Sequence, residues 1–256
     1  MIIWRNVMVT INVHIITGTI YAIIESKLIF ILTALFENFM QEFKIIHKHR
    51  DFIIIDKPNG VSVHRDEAEI GLTGLLAKQL SVAQVWLVHR LDKVTSGLLI
   101  LALNERSAAE FSLLFARHEI SKTYLALSKQ KPKKKQGLII GDMEKARRGA
   151  WKLCQTKQNP AVTRFESVSC EPNLRLFILK PQTGKTHQLR VAMKSLGSPI
   201  LGDELYGGNS EKNDRTYLHA FRLEFTYQGE PFRVQSLPQT GEYFLRESVR
   251  EKIDSV

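Results

Sequence analysis

The stretch that decides the fold is HRLDKVTSG at residues 89–97, which runs directly into the apolar segment LLILAL at residues 98–103. A second apolar segment, VWLV at residues 85–88, precedes it. Both apolar segments are too short and too rich in branched aliphatic side chains for helices, so they predict two buried strands joined by a polar turn. Asp92 then lies at the end of a strand.

A carboxylate between two core strands is costly to desolvate unless a cation or hydrogen-bond donors contact it. Asp92 therefore needs a partner. One interpretation is structural, in which a salt bridge to Arg90 or Lys93 closes the turn. The other is functional, in which the carboxylate carries chemistry and its cation comes from elsewhere in the chain.

Three sequence blocks favour the functional interpretation. Residues 89–99 resemble the motif H-R-L-D-x-x-T-S-G-L-L of the RluA-type pseudouridine synthases, within the RluA/RsuA superfamily. Residues 56–64 resemble the family's N-K-P-x-G-x-x-V-H, with Asp56 in place of Asn. Residues 183–191 resemble T-G-R-T-H-Q-[IL]-R-V, with Lys185 in place of Arg, which keeps the charge but loses the bidentate fork. Residues 202–207 complete this block as G-D-x-x-Y-G.

The resemblance implies a set of catalytic residues. The Asp of H-R-L-D is catalytic in the family, and it corresponds to Asp92. Tyr124 occupies the K-x-Y-x-A position, where the Tyr lies beside the catalytic Asp and contacts the target base; it is expected to hold the base and to assist proton loss from C5 after the base has rejoined the sugar. Arg190 is the cation that pairs with Asp92 and keeps it ionised. From the residues alone, Tyr124 would be a core side chain and Arg190 a surface residue at the rim of a helix.

The same resemblance implies a set of RNA-binding residues. Leu189 lines the base pocket, and Lys185, Thr186 and His187 contact the substrate. The target nucleotide must leave its stack before Asp92 can reach it, and Arg90 then occupies the vacated space. The reaction implied is isomerisation of uridine to pseudouridine in rRNA or tRNA. It requires no cofactor and no metal.

Composition fits a polyanionic partner. The chain has 256 residues and a formal net charge of +10, which favours RNA, although a merely basic surface is the alternative. A basic loop at residues 129–135 and a basic cluster at residues 145–152 predict a phosphate-contacting surface, or else a solvated one. Trp151 lies in that cluster and is either a stacking platform for a base or a core residue.

Two other functions compete with this interpretation. A glycoside hydrolase would need a second carboxylate, for which Asp203 and Asp66 are available. A noncatalytic RNA-binding module of the same fold would not need Asp92. Cys154 and Cys170 form no C-x-x-C pair, so neither a zinc site nor a disulfide is expected. The cysteines fit a cytoplasmic protein, and we expect a monomer.

Residues 1–39 differ from the rest of the chain in net charge. Arg5 and Lys27 balance Glu25 and Glu37, so the segment is neutral and the whole excess of positive charge lies after it. A transmembrane helix and a signal peptide are two alternatives for this segment, but charges interrupt it and no cleavage site is evident. We expect instead that this extension is not part of the functional domain and that synthesis starts at Met40. The catalytic domain is expected at residues 40–247, without a preceding S4 domain and without membrane attachment, followed by a frayed tail at residues 248–256.

The remaining pattern predicts an α+β fold with a mostly antiparallel mixed sheet, flanking helices and a catalytic cleft across the sheet. We expect a helix at residues 72–80, a helix capped by Asn104, and a helix capped by Thr186 that runs to Leu196. Strands are predicted at residues 43–48, 52–57, 121–127, 161–168, 174–179, 217–220 and 223–225.

Overall fold

The computed structural model describes residues 42–63, 71–207 and 213–256. Residues Phe43–Val256 form one compact unit. The expectations for residues 1–39, His64 and Asp66 lie outside the described residues. Among those that are described, no helix is long and apolar enough to cross a membrane.

The unit is built on a ten-stranded sheet with a small separate hairpin. The strands are β1 (Lys44–Lys48), β2 (Phe52–Lys57), β3 (Trp86–Leu87), β4 (Ser96–Ala102), β5 (Ser121–Ser128), β6 (Gln136–Gly141), β7 (Met143–Lys145), β8 (Trp151–Leu153), β9 (Ala161–Glu171), β10 (Leu174–Pro181), β11 (Leu218–Tyr227) and β12 (Glu230–Gln235). The helices are α1 (Leu72–Leu80), α2 (Glu105–Ala116), α3 (Gln188–Ser195) and α4 (Glu247–Asp254).

The sheet order is β1-β2-β4-β11-β5-β10-β9-β6, with β3 added to β4 and β12 added to β11. The pairing of β11 with β4 is parallel, and the other pairings in this sheet are antiparallel. β7 and β8 form the separate hairpin. The predicted mostly antiparallel mixed sheet with flanking helices is therefore confirmed.

Strand β4 is the centre of the fold because all seven of its residues are buried. Its side chains alternate between two cores, as a strand covered on both faces requires. Leu99 and Leu101 join the larger core, which also holds residues of α1, α3 and α4. Leu98 and Ile100 join the smaller core with Phe111 of α2.

The helix predictions are confirmed with one correction. Helix α1 has the predicted bounds, and the Asn104 side chain accepts a hydrogen bond from the Ser107 amide at the start of α2. The cap of α3 was predicted wrongly. His187, in a left-handed conformation with φ of 56°, precedes this helix, and Thr186 is exposed. The Gln188 side chain instead holds the loop by accepting from the Lys185 amide at 2.9 Å.

The C-terminal part of the chain also differs from the prediction. Residues 247–254 form helix α4, whose Val249 and Ile253 are buried in the larger core, so the expected frayed tail is wrong. The two predicted closing strands are one strand, β11, with an irregularity between Ala220 and Arg222. Strand β12 was not predicted because its sequence EPFRVQ is largely polar and contains Pro231.

Candidate active site

A cavity of about 470 Å³ opens between the turn that follows β3 and the loop that leads into α3. All eight site residues expected from the sequence line this cavity: Arg90, Asp92, Tyr124, Lys185, Thr186, His187, Leu189 and Arg190. They come from three segments that are far apart in the chain. The cavity wall also contains residues that the sequence analysis did not assign: His89, Phe115, His118 and Lys122.

The turn that carries Asp92 is held by its own backbone and by the segment after β2. The Thr95 amide donates to the Asp92 carbonyl at 2.9 Å, and the Gly60 amide donates to the Lys93 carbonyl at 2.9 Å. The buried Lys57 ammonium donates to the Val61 carbonyl at 2.7 Å and lies 3.4 Å from the Lys93 carbonyl oxygen. Lys57, Gly60 and Val61, from the sequence block at residues 56–64, therefore support the turn that carries Asp92.

The ammonium of Lys57 is an unusual group for such a position. Desolvation, followed by repulsion from Arg215, lowers the pKa of Lys57 to about 7, while Asp92 and Asp56 act in the opposite direction. Its hydrogen bonds to carbonyl oxygens satisfy the donors that burial would otherwise leave without partners.

A buried polar chain continues behind the turn. Ser96 Oγ accepts from Arg215 Nη2 at 2.6 Å and lies 2.7 Å from His219 Nδ1. His219 Nε2 lies 2.9 Å from the Ser236 carbonyl oxygen, which can only accept, so Nε2 carries the proton and Nδ1 accepts from Ser96. Burial is the main reason that the pKa of His219 falls to about 4, which keeps this ring neutral.

Gly97 joins the turn to the parallel strand β11. Its φ is 105°, and a Cβ at this position would lie 2.3 Å from the Ala220 carbonyl oxygen. Only glycine combines this backbone conformation with so close an approach. The strand that follows the turn is thereby fixed against β11.

Arg190 lies between two carboxylates. Its Nε and Nη2 donate to Asp203 at 2.7 and 2.8 Å, and its Nη1 lies 3.5 Å from Asp92 Oδ2. The Arg190 side chain is 8% exposed and that of Asp203 is 0% exposed, so the expectation of a rim position for Arg190 is wrong. Asp92 is 26% exposed and faces the cavity.

Tyr124 lines the cavity from β5 and is buried. Burial, and then the Asp92 carboxylate, raise the pKa of the Tyr124 phenol well above its ordinary value. The phenol is therefore protonated at neutral pH. It offers the cavity an aromatic ring and a hydroxyl group, both fixed by the strand.

Tyr206 connects the cavity to the basic hairpin of β7 and β8. Its hydroxyl oxygen accepts from the Trp151 amide at 2.9 Å and lies 2.9 Å from His187 Nδ1. The guanidinium carbon of Arg190 lies 5.0 Å from the centre of the Tyr206 ring, within cation–π distance. Desolvation, followed by Arg190 and Arg90 among the lowering causes, lowers the pKa of His187, against the effect of the two carboxylates.

His89 forms part of the opposite wall. Its Nε2 accepts from the Ile100 amide at 2.9 Å, and its ring stacks on Phe115 with 4.6 Å between the centroids. Burial and the nearby Lys122 lower the pKa of His89 to about 3. The ring is therefore neutral, with its proton on Nδ1.

The role of Asp203 was not evident from the sequence, where this residue was a candidate only for the second carboxylate of a hydrolase. In the structure its oxygens accept from Arg190 and from the Leu205 and Tyr206 amides. Asp203 is thus fully engaged in orienting Arg190 and in closing its own turn. Its fixed place in the block G-D-x-x-Y-G was the available signal.

Comparison with known proteins decides the family. Residues 51–195 match the RNA pseudouridylate synthase family. The chain belongs to this family. A Haemophilus influenzae protein named as an uncharacterized RNA pseudouridine synthase is 73% identical over 212 residues, which cover 83% of this chain and 95% of that protein. The Escherichia coli dual-specificity RNA pseudouridine synthase RluA is 32% identical over 189 residues, which cover 72% of this chain and 86% of RluA.

The fold agrees with this assignment. The solved structure of human RNA pseudouridylate synthase domain containing 1 has a TM-score of 0.67 and 25% identity, covering 84% of this chain and 94% of that one. The resemblance to RluA-type pseudouridine synthases is confirmed, and the chain is an RNA pseudouridine synthase. The chain is therefore an isomerase, and the two competing interpretations, a glycoside hydrolase and a noncatalytic RNA-binding module, are set aside.

Proposed function

We propose that Asp92 is the carboxylate that acts at C1′ of the target uridine. The observation that carries this proposal is the unequal sharing of Arg190. Asp203 takes two hydrogen bonds from this arginine, whereas Asp92, among the residues that the structure describes, is held only by Nη1 and keeps a quarter of its side chain exposed. A fixed and accessible carboxylate is what attack at the sugar requires.

The reaction conserves all atoms. The bond from N1 to C1′ breaks, the uracil turns, C5 bonds to C1′ and then loses its proton, and N1 gains a proton in exchange. Asp92 serves this sequence either by adding to C1′ or by first removing a sugar proton to give a glycal. Both routes need the same carboxylate in the same place.

Tyr124 is proposed to hold the base during this rotation. Its ring lies in the cavity wall, and aromatic side chains stack on unpaired bases. The sequence also predicts that Tyr124 assists the loss of the C5 proton. The raised pKa of its phenol argues against a role as a base in the free enzyme, so we assign it the holding role.

The other lining residues are proposed to receive the flipped nucleotide. Arg90 is exposed at the rim of the cavity, where it can enter the space that the target leaves. Leu189 supplies an apolar wall for the base. Lys185, Thr186 and His187 lie on the loop before α3 and face the substrate from the other side.

The RNA outside the cavity is proposed to contact the hairpin of β7 and β8. Lys145, Arg147 and Arg148 are exposed, and within the described residues they form no ion pair, whereas Lys152 pairs with Glu144 at 3.1 Å. Exposed cations that form no ion pair are suited to phosphate contacts. Trp151 anchors the hairpin through its amide, which donates to the Tyr206 hydroxyl, and its side chain is half-buried.

We further infer that the substrate is a structured rRNA or tRNA, that residues 40–247 together with α4 contain the catalytic domain, and that the enzyme works in the cytoplasm as a monomer. The unpaired Cys154 and Cys170 support a reducing compartment. Light scattering of the purified protein and cell fractionation test the last two points.

The decisive experiment maps pseudouridine in total RNA. We expect one or a few uridines of rRNA or tRNA to be modified in cells that contain the protein and unmodified in cells without it. Wild-type protein should restore these sites, and so should Glu166→Gln, which removes an exposed carboxylate paired with Lys180. Asp92→Ala should not. Full restoration by Asp92→Ala would refute the assignment.

A further inference from the structure

Lys122 lines the same cavity as Asp92 and Tyr124. Lys122 and Tyr124 are two positions apart on β5, so their side chains point to the same face of the sheet. Two residues of a strand span about 6.7 Å. Lys122 therefore lies one strand repeat from the ring that is proposed to hold the base.

Lys122 has no counter-ion in the described part of the chain. It is half-buried, and no carboxylate oxygen there lies within 4.0 Å of its ammonium. Its nitrogen lies 5.8 Å from the centre of the Phe115 ring. Burial lowers the pKa of Lys122, as expected for an ammonium that is partly removed from water without a partner.

The neighbouring groups leave this cation available to a ligand. His89 is neutral, and its Nε2 is occupied by the Ile100 amide, so it offers Lys122 no charge. Phe115 is stacked on His89 and provides a fixed apolar support. A cation without a counter-ion in a cavity wall is costly for the free protein, and that cost is offset when an anion binds.

We propose that Lys122 binds a backbone phosphate on the 5′ or the 3′ side of the target uridine, and so sets which nucleotide enters the cavity. This inference rests on the proposed placement of the uridine beside Asp92. Each nucleotide carries its phosphates a few ångströms from its base, so a base at Tyr124 brings one of its two flanking phosphates toward Lys122. Tyr124 would then contact the base and Lys122 the phosphate, and both side chains lie on the same face of β5.

The test uses a short RNA that contains the mapped uridine, made with an ordinary backbone or with a single neutral methylphosphonate on the 5′ or the 3′ side of that uridine. With the ordinary RNA, Lys122→Met should raise KM by roughly 10- to 100-fold, the range for a charge-assisted contact, and should change kcat much less. Lys122→Arg should keep KM within a fewfold of wild type because it keeps the charge.

The neutral linkages identify the contact. For wild-type protein, one of the two methylphosphonates should raise KM by a similar factor. For Lys122→Met, the same linkage should change KM by less than about twofold, because the partner is already gone. Lys180→Met is the matched control, since it removes an exposed lysine of the neighbouring strand β10, and it should respond to the linkage as wild type does.

Two results would overturn the proposal. The first is that the effects of Lys122→Met and of each linkage multiply, which would mean that they act independently. The second is that Lys122→Met leaves KM unchanged. The thermal unfolding midpoint of each variant shows whether it folds, and Lys122→Gln replaces Lys122→Met if the latter does not. Activity of Asp92→Asn on the ordinary RNA would instead refute the proposed function, so the two failures are distinguishable.

Discussion

Arg190 binds Asp203 through two nitrogens, at 2.7 and 2.8 Å, and reaches Asp92 with a third nitrogen at 3.5 Å. The tighter pair is buried, with 8% of the Arg190 side chain and 0% of the Asp203 side chain exposed. Asp203 therefore fixes the plane of the guanidinium, and that plane determines where Nη1 meets Asp92. One carboxylate positions the cation, and the other remains exposed to the cavity.

Asp203→Asn should accordingly damage both stability and activity. The change removes the charge that balances buried Arg190, and breaking a buried ion pair costs about 3–5 kcal/mol. Denaturant unfolding measures this loss. Glu166→Gln, in an exposed pair with Lys180, should cost no more than about 1 kcal/mol. Equal stability of Asp203→Asn and wild type would show that Arg190 does not depend on Asp203.

Asp92→Asn should abolish isomerisation while leaving RNA affinity within about tenfold, because phosphate contacts supply most of the binding free energy. The side chain keeps its size and place at the cavity, so the fold should persist. Single-turnover assays and a binding titration at the same salt concentration separate the two effects. If binding and activity fall together, Asp92 belongs to the structural interpretation of the turn.

The sequence was informative where chemistry is carried by contiguous motifs. Asp92, Arg190 and the loop at residues 185–187 belong to such motifs, and their common cavity could be anticipated. Helices α1 and α2 were predictable because their apolar spacing and the Asn104 cap are local features. Helix α4 was missed because only Val249 and Ile253 of its eight residues are buried. Their burial depends on packing against β9, which is distant in the sequence.

The buried hydrogen bonds of Ser96 with His219 and Arg215, behind the turn that carries Asp92, could not be predicted in the same way. Ser96 and His219 are 123 residues apart, and Ser96 and Arg215 are 119 apart. Their contacts depend on the parallel pairing of β4 with β11, which no local pattern reveals. The division of Arg190 between two carboxylates is likewise a property of the folded chain. A sequence motif identifies Arg190 and the two aspartates, but it does not show which carboxylate binds which nitrogen of the guanidinium.

Tyr124→Phe tests the assignment of Tyr124 as a holding residue. The ring remains, and only the phenol hydroxyl is lost. If stacking on the base is its main contribution, Tyr124→Phe should keep much of the activity while Tyr124→Ala should lose most of it. Comparison of kcat for the two variants decides the point. Equal loss in both would assign the chemistry to the hydroxyl.

The buried histidines predict that the protein is destabilised by acid. The pKa of His219 is about 4 in the folded protein and 6.5 for an ordinary histidine. Between pH 6.5 and pH 4 the His219 imidazole is protonated in the unfolded chain and stays neutral in the folded protein. The contribution of His219 to the free energy of unfolding is therefore fully present above pH 6.5 and is lost as the pH falls toward 4. The full difference is about 3 kcal/mol. The effect of His89 has the same sign and extends to lower pH.

His219→Gln isolates this contribution. The free energy of unfolding of wild type should fall more steeply between pH 6.5 and pH 4 than that of the variant, whatever their difference at pH 8. Urea unfolding at four pH values in this range provides the comparison. Parallel curves would mean that His219 titrates alike in the folded and unfolded chains.

The last prediction concerns the basic hairpin of β7 and β8. Arg147 and Arg148 are exposed at its tip, and Arg148 has a left-handed backbone with φ of 56°. Asn tolerates this conformation better than most residues, so Arg147→Gln/Arg148→Asn removes two charges with little strain. If both arginines contact phosphates, RNA affinity should fall in this variant. The magnitude of the slope of log affinity against log salt concentration should decrease by about 0.7–0.9 per lost contact.

The double variant Lys48→Gln/Arg106→Gln is the control, because it removes two exposed cations from β1 and α2, and it should leave the slope unchanged. An equal decrease in both double variants would mean that RNA responds to net charge and not to the hairpin.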